Sequence, residues 1–373
     1  MRRGPLWSAF HAAASVHPAT RVRVFHCDHC AHLLFFENVE CVSCHHRLAY
    51  LPDLRLVGSL DEDAEGRWRS PLPQAAGRLY RLCRNYTDHQ VCNWAVGADD
   101  PNPLCISCRL TRVIPDLARP EHRVAWYRLE TAKRRLVFTL TGLGLPVRNR
   151  EEDPDKGLAF EFLADPPEPD ATRVLTGHAG GVITINIAEA DDAERERRRA
   201  SMHEPYRTLL GHVRHEIGHY YWDRLLAGEA ALEEFRALFG DDRLDYAEAL
   251  RRHYAEGPPP DWQVRFVSAY AAAHAWEDWA ETFAHYLHMV DTLETAEACG
   301  LSLLPRRGDE PSLLPAAEKP QTFDQLLERW FPVTYAINNL NRSLGVADGY
   351  PFVLADAAIA KLRFVHEILD RGP

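Results

Sequence analysis

Two histidines four residues apart with a glutamate between them, His215-Glu216-Ile217-Gly218-His219, restrict what this chain can fold into more than any other stretch. On an α-helix, residues i and i+4 lie one above the other, so both imidazoles can reach one metal ion while Glu216, on the flank, reaches a water bound to it. At about 100° per residue, Tyr206, Leu209, Leu210, Val213, Ile217, Tyr220 and Tyr221 fall opposite the histidines. Thr208, Gly211 and His212 share the histidine side. The segment therefore reads as a helix with core on one side and a cleft on the other. The plainer alternative is a core helix with two hydrogen-bonded histidines. It leaves Glu216 without a purpose, because burying an unpaired carboxylate costs on the order of several kcal/mol.

Cysteine spacing is the second constraint. Cys27-x2-Cys30 and Cys41-x2-Cys44 are separated by a short stretch and flanked by Val22, Val24, Phe25 and the run from Leu33 to Phe36. Paired C-x-x-C turns between short strands present four thiolates to a tetrahedral zinc, the arrangement of a zinc ribbon. Disulfides fit less well, since a C-x-x-C pair shares a metal more easily than it forms a relaxed structural bridge. Cys83, Cys92, Cys105 and Cys108 follow with looser spacing and make a second four-cysteine site, with His89 as an alternative ligand and a group of buried thiols as the plain reading. Cys299, alone at a helix end, reads as an inert buried thiol.

Charge narrows the partners. The formal net charge is −11, and the segment from Arg21 to Arg112 balances arginines against acidic residues, with no basic cluster interleaved with aromatics. That argues against nucleic acid and for a structural or protein-docking role of the cysteine-rich region. No run of eighteen apolar residues occurs, so no membrane span is expected. Met1-Arg2-Arg3 and the weakly apolar Leu6 to Val16 resemble a signal peptide only loosely, since His11 interrupts the stretch. Residues 1–20 are expected to be a disordered extension and the protein to be cytoplasmic.

Beyond Pro120 the period becomes helical through Val124, Tyr127, Leu129, Leu136, Val137 and Leu140, until Gly142 and Gly144. Gly157 to Ala164 reads as a strand, as does Val182 to Ile187, which is either a sheet edge that pairs with extended substrate or a plain core strand. Asp191 to Arg199 reads as a solvated helical turn or loop. Glu229 to Tyr254 is amphipathic, and a further helix is expected from Asp261, with Glu277, Glu281, Ala284 and His288 on one face. Two carboxylates four apart suit a metal ligand and its hydrogen-bonding partner, or a solvated acidic face. Leu301 to Pro320 reads as a loop, with helices from Thr322 to Asn341 and Leu354 to Asp370. Tyr335, Tyr350, His285 and His288 are candidates to steady an oxyanion.

These residues resemble the bacterial putative zinc-binding metallopeptidase family that joins a zinc ribbon to a zincin-like domain. The resemblance is carried by Phe25 to Cys30, Cys41-Val42-Ser43-Cys44, Thr184 to Asp191, His215 to Asp223 and Glu277-Asp278-Trp279-Ala280-Glu281, and it covers nearly everything after residue 20. The last segment is similar to the E-x-x-A-[DN]-x-F-A signature of gluzincins. That similarity implies Glu277 as the third zinc ligand, while Glu281 stands where those enzymes usually carry Asp or Asn.

The expected fold is α+β: an N-terminal zinc-ribbon region at 21–115 with two four-cysteine sites, then a mostly helical zincin-like (gluzincin) metallopeptidase domain with a small sheet at 116–373. The expected function is peptide-bond hydrolysis by a zinc-activated water. His215, His219 and Glu277 would hold the zinc, Glu216 would act as general base, and Glu281 would orient an imidazole. Cofactors would be one catalytic and two structural zinc ions. Partners would be a peptide or protein substrate and a protein docked on the ribbons. The rival reading is a silent scaffold of the same fold, used for docking alone.

Overall fold

The structure, a computed structural model, describes residues 24–168, 172–201, 206–315 and 322–372. The expectation for residues 1–20 lies outside them. The chain begins with a two-stranded antiparallel ribbon, β1 (Phe25–His26) and β2 (Leu33–Leu34), whose register pairs Phe25 with Leu34. Both C-x-x-C segments fold into the same turn. Ala31 N–H donates to Cys27 O and His45 N–H to Cys41 O, each at 2.8 Å, and Ala31 and His45 both take positive φ, 57° and 62°. A side chain in that conformation costs roughly 1–2 kcal/mol, so the turn needs compensation from what its sulfurs bind.

A five-stranded antiparallel sheet follows in sequence order: β3 (Arg47–Leu51), β4 (Leu56–Glu62), β5 (Trp68–Arg69), β6 (Leu79–Leu82) and β7 (Ala95–Gly97). A parallel bridge from Tyr50 to Trp94 curls the sheet toward closure. The single-turn α1 (Arg84–Thr87) lies between β6 and β7.

Directly after Cys108, the strand β8 (Thr111–Val113) leaves the cysteine-rich region and pairs in parallel with β9 (Ala159–Leu163). With β10 (Gly177–Ala179) and β11 (Val182–Asn186) it forms a four-stranded sheet of order β10-β11-β9-β8. The strand at Val182 is therefore interior, paired on both sides, and the edge beside it is β10. Only the short hairpin return through Gly180 and Gly181, both at positive φ, makes this so.

Helices supply the rest: α2 (Pro120–Gly142), α3 (Asp192–Ser201), α4 (Leu209–Leu225), α5 (Glu229–Phe239), α6 (Tyr246–Glu256), α7 (Trp262–Arg265), α8 (Ala275–Ala298), α9 (Phe323–Ser343) and α10 (Asp356–Arg371). One hydrophobic core runs from Phe25 through Trp126, Phe160, Ile217 and Phe283 to Ile368.

Several expectations change. The amphipathic stretch from Glu229 is two helices, because Gly240 at φ 102° stops the first and the Asp245 carboxylate, accepting from Glu248 N–H at 2.9 Å, caps the second. The ligand-bearing helix starts at Ala275 rather than near Asp261, where the extended His274 caps it by accepting from Trp276 N–H. Asp192 to Ser201 is a full helix. In α2, Val124 and Tyr127 face solvent, and the buried aromatics are Trp126 and Phe138. Cys299 is exposed, at the C-cap of α8.

The packing of α4 on α8 positions everything that follows. Gly218 makes it close: a Cβ there would stand 2.9 Å from Ala280 Cα and 3.1 Å from Ala280 O. Trp279 Nε1 donates to Gly218 O at 2.8 Å across the same contact. From the other side α10 clamps α8 through a buried ion pair, Lys361 Nζ to Asp278 Oδ2 at 2.6 Å, with Lys361 also donating to Arg265 O. Among the described residues no helix is long and apolar enough to cross a membrane.

Candidate metal centre

Helix α4 begins at Thr208, whose hydroxyl accepts from Gly211 N–H at 3.0 Å, and its regular turns carry His215 and His219 onto one face as their spacing requires. Helix α8 brings Glu277 to them. The Nε2 atoms of the two histidines are 3.2 Å apart, and Glu277 Oε2 lies 3.0 Å from the first and 3.5 Å from the second. Donors held at 2.0–2.1 Å around a tetrahedral zinc are separated by about 3.3 Å, so the three atoms already stand at the corners such an ion needs. Oε2 is buried and receives no hydrogen bond of usable geometry, although both nitrogens are near. A cation satisfies three inward-facing lone pairs that protons cannot satisfy together.

Glu281, one turn further along α8, accepts from His215 Nδ1–H at 2.7 Å, and Ser268 Oγ donates to its other oxygen at 2.6 Å. Because a carboxylate only accepts, the proton of His215 is fixed on Nδ1 and Nε2 is left as the donor atom toward the centre. The ring of His219 is held by packing instead, with the Trp276 ring centroid 3.8 Å away.

The field at the centre is negative. Burial lowers the His215 pKa, but Glu277 and Glu281 outweigh it and raise it well above the ordinary value. Burial raises Glu277 and Glu281, and the imidazoles reverse this, holding Glu277 well below its usual range and Glu281 at about 2. Glu216, beside His215 and 8% exposed, is pushed up to about 7 by burial.

Both cysteine sets converge as well. Cys27, Cys30, Cys41 and Cys44 form one group and Cys83, Cys92, Cys105 and Cys108 the other, without His89, which packs on Trp126. Neighbouring sulfurs stand 3.5, 3.6 and 3.8 Å apart for Cys27–Cys44, Cys30–Cys41 and Cys92–Cys105. The edge of a ZnS4 tetrahedron with 2.3 Å bonds is about 3.8 Å, so both groups fit zinc. Burial raises Cys105 well above its ordinary pKa, so ionising that group needs a cation within it. The guanidinium of Arg134, buried on α2, adds positive charge beside Cys92, Cys105 and Cys108. A further set, His29, His46 and Asp61, fits a metal poorly. Its two imidazoles are stacked 3.5 Å apart at 17°, so their lone pairs lie in two nearly parallel planes that do not meet at a nearby point.

The proposed oxyanion residues have other partners. Tyr350 and His285 bond each other at 2.7 Å, Arg214 reaches His288 Nδ1 at 2.6 Å, and Tyr335 lies exposed on α9. Sequence reasoning missed Tyr246, whose hydroxyl donates to Glu277 Oε1 at 2.5 Å. It also missed Ser268, and His178 on β10, whose ring lies parallel to that of His219 at 6.3 Å. None of the three belongs to a spaced motif. The only readable signal was Asp245-x-x-Glu248, a helix start that places Tyr246 at its first turn.

A ribbon of cysteine clusters followed by a helical fold with a His-His-Glu centre defines a zinc-binding protein of metallopeptidase type, and the chain belongs to the family described as putative zinc-binding metallo-peptidase, which it matches over residues 122–368. Residues 24–119 match a zinc-ribbon domain. The chain is 45% identical over 350 residues to an uncharacterized protein of Mycobacterium bovis and equally to uncharacterized proteins of two Mycobacterium tuberculosis strains, covering 94% of this chain and 96% of each relative. No solved structure matches it.

Proposed function

We propose that this chain is a zinc-dependent peptidase acting on a peptide or protein, with two further zinc ions held by the cysteine groups. The observation that carries the reading is the triangle of His215 Nε2, His219 Nε2 and Glu277 Oε2 with Glu216 beside it on the same helix. His215, His219 and Glu277 would hold the ion, which when bound supplies a Lewis acid and lowers the pKa of water toward about 7. Glu216 takes the proton of the attacking water and passes it to the leaving amine. Its burial already sets its affinity for a proton near neutrality, and a dication nearby favours the ionised, accepting form. Glu281 and Ser268 keep His215 oriented throughout. The edge of β10 offers backbone groups to an extended substrate alongside α4. Cysteines arranged for metal rather than for disulfides fit a reducing compartment, the cytoplasm.

A docking role through the ribbons draws support from Phe35 and Val42, 70% and 71% exposed around the first cysteine group. The deciding experiment is Glu216→Gln, assayed for zinc content and for cleavage of an unfolded protein substrate. Zinc should stay bound while hydrolysis falls by about 10²-fold or more. Undiminished hydrolysis would remove Glu216 from the chemistry. A zinc-loaded wild type that cleaves nothing would favour docking alone.

A further inference from the structure

Tyr246 is the first residue of α6, and its phenol crosses to the third residue of α8. There it divides the two oxygens of Glu277: Oε1 accepts from the phenol at 2.5 Å, and Oε2 faces the two histidine nitrogens. The link is built from both sides. The Tyr246 ring meets His274 and Trp276 edge-on, with centroids 5.3 and 5.5 Å away. His274, the cap of α8, hydrogen-bonds through Nε2 to Leu244 O, two residues before Tyr246. Core packing does not explain this placement, because Ala249 is the only buried residue of α6. A phenol hydroxyl carries its proton at neutral pH, so Tyr246 donates and Glu277 Oε1 accepts.

A carboxylate with one oxygen held by a donor presents the other alone to a cation, whereas a carboxylate without such a donor can close on the ion with both. We propose that Tyr246 is a positioning residue that keeps Glu277 bound to the metal through one oxygen, and so keeps the fourth coordination position open. This rests on the ligand reading of the preceding subsection.

The test uses the full chain with its cysteine groups filled by zinc and the histidine site loaded with Co²⁺, whose visible absorption is intense when four-coordinate and weak at higher coordination number. Wild type should take up one cobalt with the intense spectrum. Tyr246→Phe removes one oxygen atom from a residue 37% exposed, so the fold should persist. Its cobalt spectrum should lose most of its visible intensity as Oε1 joins the metal. Tyr254→Phe, on the same helix and 63% exposed, should leave the spectrum unchanged. An intense spectrum retained in Tyr246→Phe overturns the proposal while leaving the metal centre intact. The same loss in Tyr254→Phe overturns it by assigning the effect to helix packing. Wild-type protein that binds no cobalt outside the cysteine groups overturns the ligand reading, and this proposal with it.

Discussion

Gly218→Ala puts the contact between α4 and α8 to the test. The new methyl would sit 2.9 Å from Ala280 Cα, 3.1 Å from Ala280 O and 3.3 Å from Phe283 Cβ. Carbon atoms in contact prefer about 3.5–4.0 Å, so α8 would have to retreat by about 0.6–1 Å, and two of the three obstacles are backbone that cannot rotate away. Alanine gains about 1 kcal/mol over glycine inside a helix, while overpacking of this kind costs about 1–3 kcal/mol, so the net change in stability falls between about zero and a 2 kcal/mol loss. The metal centre is less forgiving. Glu277 lies one turn before Ala280 on the displaced helix, and a shift of that size exceeds the roughly 0.5 Å within which a site must be held. Zinc affinity at the histidine site should fall by more than stability does, while the cysteine groups keep their metal. Competition with a chelating dye measures the first and denaturant unfolding the second. A variant that is more stable and binds zinc as tightly as wild type would refute the close-contact argument.

Metal analysis under reducing conditions should find three zinc ions per chain, with the histidine site stripped first by chelator because thiolates enclose the other two; a value near one would remove the cysteine sites. Glu277→Ala should empty the histidine site, whereas Glu281→Ala should weaken zinc there by about 10- to 100-fold; equal effects would merge the two roles, and the opposite order would reverse them. For pH, burial holds His212 and His285 at about 3 and about 4 in the folded chain, below the ordinary value of 6.5. The unfolded chain then binds more protons below pH 6.5, so the stability these groups contribute is present above 6.5 and lost as pH falls toward 4. Denaturant unfolding of His285→Gln should show a shallower loss between pH 6.5 and 4 than wild type, and an unchanged slope would refute the assignment.

What was legible follows from which contacts are local. His215 and His219 share one helix, so their spacing alone predicts convergence, and each C-x-x-C turn is likewise local. Glu277 lies on a different helix: its spacing from Glu281 on one face marked the pair as candidates, and only the similarity to a known signature chose Glu277 as the ligand. Ser268 was invisible because it lies in the irregular stretch between α7 and α8, and Tyr246 because it opens α6, where no spacing links it to Glu277 on another helix. The break at Gly240 and Asp245 was readable as a stop and a cap, but apolar periodicity on both sides hid it. The edge position of β10 depends on a hairpin return and on which neighbour β11 keeps, facts that alternation along one strand does not contain.

The position of β8 bears on how this chain can be divided. Its three residues precede the boundary expected from the sequence at 115 and 116, yet they form the border of a sheet whose other strands all follow it. A fragment made from residue 116 onward would therefore carry β9 with one ladder uncovered, its Phe160 and Phe162 next to a bare row of amides. Such a border invites a second molecule to add itself, so the shortened protein would be expected to self-associate through that side. Restoring residues 108–115 alone would not suffice, because Cys108 is grouped with Cys105, just before it, and with Cys83 and Cys92 further upstream, none of which such a fragment would contain. The cysteine-rich segment thus acts as a folding partner that its neighbour cannot shed, and a chain cut there would be sought in the aggregate.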